Sequence, residues 1–163
     1  MPLDLATAGF AMGMGLSLLF GPADTAPQST RNALTFGTAV QSWRTLGNET
    51  IVTLTHRPQG NAMQEFAPIY SAGLSNRGMA FVSVGLGRPL DVGGLKVMPH
   101  IGPALVHSAA GSAALQLRAG FDISQSFDNG MSVTGGIYHI GNGQNNASSA
   151  NITVAHLGIL MKF

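Results

Sequence analysis

Cysteine is absent from the 163 residues, which excludes disulfides and thiol chemistry without fixing a compartment. Charge is scarce as well. Asp, Glu, Lys and Arg make up 9% of the chain, against about a quarter in soluble domains, too little to clothe a water-facing surface. Net charge is +1 with no basic cluster, so no nucleic-acid partner is expected. Beyond the N-terminal segment there is also no run of about 18 apolar residues that would cross a membrane as a helix.

What is present is glycine, 22 residues of it, and a positive mean hydropathy spread along the chain instead of gathered into runs. The length suits one domain. Low charge, abundant glycine and dispersed hydrophobicity without a spanning helix predict an all-β protein, an eight-stranded antiparallel transmembrane β-barrel of the outer-membrane type. The sequons at Asn48, Asn146 and Asn151 bear only on a glycosylating pathway and are read as chance.

From residue 32 onward the period is two. In "ALQLRAGFDISQSF" Leu115, Leu117, Ala119, Phe121 and Ile123 fall on one face, and Gln116, Arg118, Gly120, Asp122 and Ser124 on the other. Small polar residues and an Arg118–Asp122 pair suit the filled interior of a narrow barrel. Comparable segments lie at 32–44, 50–57, 65–75, 79–88, 94–107, 113–127, 130–140 and 151–163. Turn signals separate them at Gly47-Asn48, Asn76-Arg77-Gly78 and Asp128-Asn129-Gly130, with longer polar links at 58–64 and 141–150. An even strand number puts both termini on one side. Pro99 and Pro103 each remove a ladder donor, which predicts a bulge or an early strand end. Lys96, His100, Gln116, Arg118 and Asp122 are assigned to the polar filling, a structural role that leaves no pore.

Residues 1–26 stand apart from the barrel domain at 32–163. The segment "LATAGFAMGMGLSLLF" reads as the apolar core of a secretory signal, as an extra strand or as a short membrane helix; its flank "MPLDL" lacks the positive charge of a signal. A ninth strand would break the even parity. At the other end "HLGILMKF" places Ala155, Leu157, Ile159, Met161 and Phe163 on one face. This resembles the C-terminal assembly signature of bacterial outer-membrane proteins, which implies the bacterial outer membrane as location and the outer-membrane assembly machinery as a partner of the last strand.

In "MSVTGGIYHIGNG" the alternation from Met131 through Val133, Gly135 and Ile137 carries His139 onto the apolar face. A titratable group facing lipid is a functional-site hypothesis; solvation by headgroups near a strand end is the plain alternative. The stretch "AALQLRAGFDISQSFDNGMSVTGGIYHIGNG", with "GLKVMPHIGPALVHS" before it, resembles the C-terminal half of the outer-membrane lipid A deacylases of the PagL type, the acyloxyacyl hydrolases, over roughly residues 65–163. In that family two strands joined by a tight turn lead into a His-x-Ser-Asn motif.

The resemblance implies an eight-stranded barrel that hydrolyses an ester-linked acyl chain of lipid A, with lipopolysaccharide and outer-membrane lipid as its partners. Serine is the nucleophile, histidine the base, a carboxylate orients the ring and asparagine helps hold the oxyanion. Carried over, His139 matches the histidine and Asn142 the asparagine. Gly141 stands at the serine position. The acid position falls near the start of the last strand, "NITVAH", where Thr153 is the nearest outward residue and no Asp or Glu follows Asp128. The family reaction therefore lacks two of its parts.

Ser148 and Ser149, in the loop after the motif, are the substitute nucleophiles on offer. His107 and His156 would have to join His139 in a metal site, but His156 falls on the inward face and no carboxylate at ligand spacing accompanies them, so neither metal nor cofactor is expected. The leading reading is a barrel of the deacylase type, degenerate at its nucleophile and still binding lipid A acyl chains beside His139 and Asn142. The alternatives are an active lipid A esterase with a relocated serine, and a structural or interaction barrel with no lipid A role.

Overall fold

A computed structural model describes residues 31–42, 45–58, 65–128, 130–141 and 151–162. The apolar N-terminal segment, Asn142, Ser148, Ser149 and Phe163 fall outside them.

The strands are β1 (Arg31–Ser42), β2 (Thr45–Arg57), β3 (Ala67–Ser75), β4 (Ala80–Gly87), β5 (Leu90–Val92), β6 (Leu95–His107), β7 (Ala113–Ser126), β8 (Met131–Gly141) and β9 (Ile152–Lys162). No helix occurs among the described residues. All eight segments read from the alternation become strands. Each pairs antiparallel with its sequence neighbour, β4 pairs β6, and β1 pairs β9 to close the ring. Closure leaves the wall without a free edge, as hydrocarbon requires of any sheet that spans it. Strand β5 is an addition: a three-residue arm on β6, turned at Gly93-Gly94, both with positive φ, as a two-residue hairpin loop demands. Its Leu90 is 2% exposed.

The turns at 76–78 and 128–130 form as expected. Ser75 N donates to Met79 O (2.8 Å) and Phe127 N to Met131 O (2.9 Å), with Gly78 and Gly130 in the left-handed region. Two expectations are corrected. Gly47-Asn48 is not a turn: the chain reverses between Ser42 and Thr45, and 47–48 lie within β2. Register shifts after Thr38 and after Val40 show that irregular pairing in this hairpin replaces the turn that the Gly-Asn pair suggested. Pro99 and Pro103 cause neither a bulge nor a strand end. Strand β6 pairs β7 without interruption from Lys96 to His107. On its other edge the partners break off between Ser83↔Ala104 and Leu86↔Ile101 and resume in the same register. The missing Pro103 donor thus falls at a local gap in one ladder instead of displacing the strand.

The wall is inside-out relative to a soluble protein. Phe36, Leu54, Leu74, Val82, Leu105, Leu115 and Leu157 are all more than half exposed, an outward band that only lipid can cover. Inside, Ile51, Phe81, Val106, Tyr138, Ile140 and Val154 form an apolar cluster. It draws on the start of β4 and β9 and the end of β6 and β8, hence on the half of the barrel away from Arg31 of β1 and Lys162 of β9. Much of the remaining interior is polar, interrupted by buried Ala33, Ile69 and Leu160. Arg57 pairs with Asp122, and His156 Nε2 lies 3.0 Å and His100 Nε2 3.7 Å from the same carboxylate. The expected Arg118–Asp122 pair is therefore replaced: Arg118 donates instead to Ser71 Oγ (3.3 Å) and lies over the Tyr138 ring, 4.3 Å from its centroid. His100, Gln116, Arg118 and Asp122 are buried as assigned, and Lys96 is partly exposed.

Candidate site on the lipid face

Strand β8 alternates as its sequence dictates. Ser132, Thr134, Tyr138 and Ile140 are buried inward, and Met131, Val133 and His139 are exposed outward. His139 is opposite Ala119 of β7 and Thr153 of β9, in the half of the wall away from the Arg31 and Lys162 ends. Its Nδ1 is 2.9 Å from Thr153 Oγ1. Thr153, the outward residue at the family's acid position, thus occupies the place of a ring-orienting partner, but a hydroxyl carries no charge with which to stabilise an imidazolium.

The opposite ring nitrogen faces the motif's nucleophile position. A Cβ built on Gly141 would lie 2.6 Å from His139 Nε2 and against Asn151 Oδ1. Both atoms are side-chain ends, so a serine would be accommodated by small rotations of His139 and Asn151, with its hydroxyl in reach of the base. As the chain stands, no hydroxyl is carried there. Gly141 itself is buried, with the Asn151 carboxamide beside it.

Sequence reasoning missed Asn151. The signal was in the pairing: Ile140 faces Ile152, so one further step along this antiparallel ladder puts Asn151 opposite Gly141. Asn142 and the serines at 148 and 149 lie outside the described residues. His107 closes β6, paired with Ala80 and Ala113, and β7 separates it from β8. His156 points inward, its side chain 4% exposed. No group of three His, Cys, Asp or Glu side chains that could hold a metal ion occurs among the described residues.

No family model and no curated protein matches the chain. Solved structures match in fold. The outer-membrane enzyme PagL aligns with a TM-score of 0.55 at 15% identity, over 82% of this chain and 99% of its own. A de novo designed transmembrane β-barrel gives 0.56 at 13%, over 86% and 100%. The Yersinia pestis outer membrane protein Ail in a phospholipid nanodisc gives 0.52 at 12%, over 83% and 100%.

The fold is that of an outer-membrane barrel. With its apolar exterior and polar interior, it locates the protein in the bacterial outer membrane. At these identities the likeness is one of fold, shared by an enzyme and by a design alike, and it leaves chemistry to the residues.

Proposed function

We propose that the chain is an outer-membrane barrel of the lipid A deacylase type that binds lipid A acyl chains beside His139 and has lost hydrolysis with the side chain at 141. One observation carries the reading: an outward imidazole bonded through Nδ1 to Thr153 and aimed through Nε2 at a position that bears no side chain. A histidine that merely sat in the headgroup layer would have no need of a ring-orienting hydroxyl on Nδ1. Leu117, exposed opposite Gly141, offers an acyl chain apolar contact next to the polar group. His139 and Asn142 are the binding residues in this reading, and the C-terminal strand is the part recognised by the outer-membrane assembly machinery.

The test is mass spectrometry of lipid A from a Gram-negative host expressing wild type, His139→Ala or Gly141→Ser, after heat-modifiable gel mobility has confirmed a folded barrel. Wild type is expected to leave lipid A intact, and Gly141→Ser to release an acyl chain. Lipid A co-purifying with wild type is expected to fall several-fold in His139→Ala. Acyl release by wild type that His139→Ala abolishes would establish the alternative, an esterase using Ser148 or Ser149. Absence of hydrolysis in all variants, with unchanged lipid A retention, would leave a structural barrel.

A further inference from the structure

The lipid face carries a second polar group, away from His139. Asn32 of β1 pairs with His56 of β2, and His56 with Tyr70 of β3, so three outward polar side chains stand side by side across three strands. His56 is the next-to-last residue of β2 and Asn32 the second of β1, which puts the row near the rim of Arg31 and Lys162. Its neighbours on this face are Leu34, Leu54, Val84 and Met161, all apolar. No charged side chain stands among them.

Polar groups on the outer surface of a barrel cost free energy according to depth, and a belt of aromatic residues at the headgroups is the ordinary reason for a tyrosine there. The belt accounts for Tyr70, 45% exposed. It gives no reason for a histidine fixed in one orientation. His56 Nδ1 lies 2.6 Å from Asn32 Oδ1, and the ring stacks on that of Tyr70, centroids 6.3 Å apart at 29°. A carboxamide oxygen only accepts, so Nδ1 is the donor. In the neutral ring Nε2 then has a lone pair and no hydrogen. This row therefore offers an acceptor on one strand and a hydroxyl, able to donate, on the next.

We propose that Asn32, His56 and Tyr70 bind the headgroup of a phospholipid that bears a primary ammonium, as phosphatidylethanolamine does. The ammonium donates to His56 Nε2, Tyr70 donates to the phosphate of the same headgroup, and Asn32 holds the imidazole in the accepting form. A trimethylated ammonium has no N–H to give, and a glycerol headgroup has no cation. Both are poorer ligands for a neutral acceptor. The site stands apart from the lipid A reading at His139, because it lies in the other half of the wall and recognises a headgroup instead of an acyl chain.

The full-length barrel is placed in vesicles of equimolar phosphatidylethanolamine, phosphatidylcholine and phosphatidylglycerol with identical acyl chains, and the lipids it retains are weighed by native mass spectrometry. Wild type should keep phosphatidylethanolamine about tenfold over either competitor, the worth of one hydrogen bond to a charged group. His56→Phe keeps a stacked ring and removes the acceptor, so the preference should vanish. Nitrogen-15 spectra of the wild type test the same claim whether or not that variant folds. They should show His56 protonated at Nδ1, with an Nε2 resonance that moves in phosphatidylethanolamine vesicles and not in phosphatidylcholine vesicles. Equal retention of the three lipids, a preference that survives in His56→Phe, or an Nε2 resonance indifferent to the headgroup would overturn the proposal and leave an aromatic belt. Preference for phosphatidylglycerol would overturn it too, since that requires a cationic ring acting on phosphate.

Discussion

Two histidines on neighbouring strands sit on opposite sides of one wall. His156 of β9 points inward, 3.0 Å from Asp122 and beside the Tyr138 ring, centroids 5.5 Å apart. His139 of β8 points outward, exposed, and its bonded partner is a neutral hydroxyl. The inward ring has a carboxylate, the outward one does not. A histidine and an acid, two parts of a hydrolytic triad, are thus both present in this molecule, yet they meet where no lipid enters. The difference follows from solvation. Inside, Arg57 and the rings share Asp122 and offset the burial of its charge; on the lipid face a carboxylate would have only His139 to answer it. Threonine at 153 avoids that cost and gives up the charge.

The contrast predicts very unequal sensitivities. Asp122→Ala should be the most damaging change, because it strands a buried arginine; we expect a loss of about 3–5 kcal/mol in urea unfolding of the refolded barrel, while His139→Ala shifts the midpoint by no more than about 0.5 kcal/mol. Equal losses would mean that the outward histidine is structural after all. Next in size is depth in the lipid. Leu157→Arg, mid-strand on β9, should cost about 2–4 kcal/mol, and Leu115→Arg, near the start of β7, about 0–1 kcal/mol. Equal costs in vesicles would show that the apolar band does not follow the outward residues identified here. The smallest effect is expected of Thr153→Val: stability unchanged within about 0.5 kcal/mol, with a moved ring nitrogen-15 resonance for His139. A resonance that stays put would mean the hydroxyl does not hold the ring.

Period-two alternation was enough to read all eight barrel strands, because lipid outside and polar filling inside impose the alternation on nearly every residue. The same parity places His139 outward and His156 inward. What it could not supply was partnership across the barrel. Arg118 and Asp122 share a face of β7 and read as a pair, but the carboxylate is taken by Arg57 from a strand 65 residues earlier, and only ring closure brings them together. The Gly47-Asn48 turn failed for the opposite reason: the strong local signal falls at a register shift inside the β1–β2 hairpin, between Thr38↔Thr50 and Val40↔Leu46, and not at its reversal. At the site, His139, Gly141 and Thr153 were legible by parity, whereas Asn151 required the β8–β9 register.

The joining of β1 to β9 has a consequence in time. The ladder between them ties the first described strand to the last, Arg31 opposite Lys162, so one seam of the wall stays open until β9 has been made. Every earlier intermediate is an open sheet with two unpaired margins, which hydrocarbon does not tolerate. Closing over so long a sequence separation is slow. Membrane entry and ring completion should therefore advance as one concerted event, with half-inserted sheets scarcely populated.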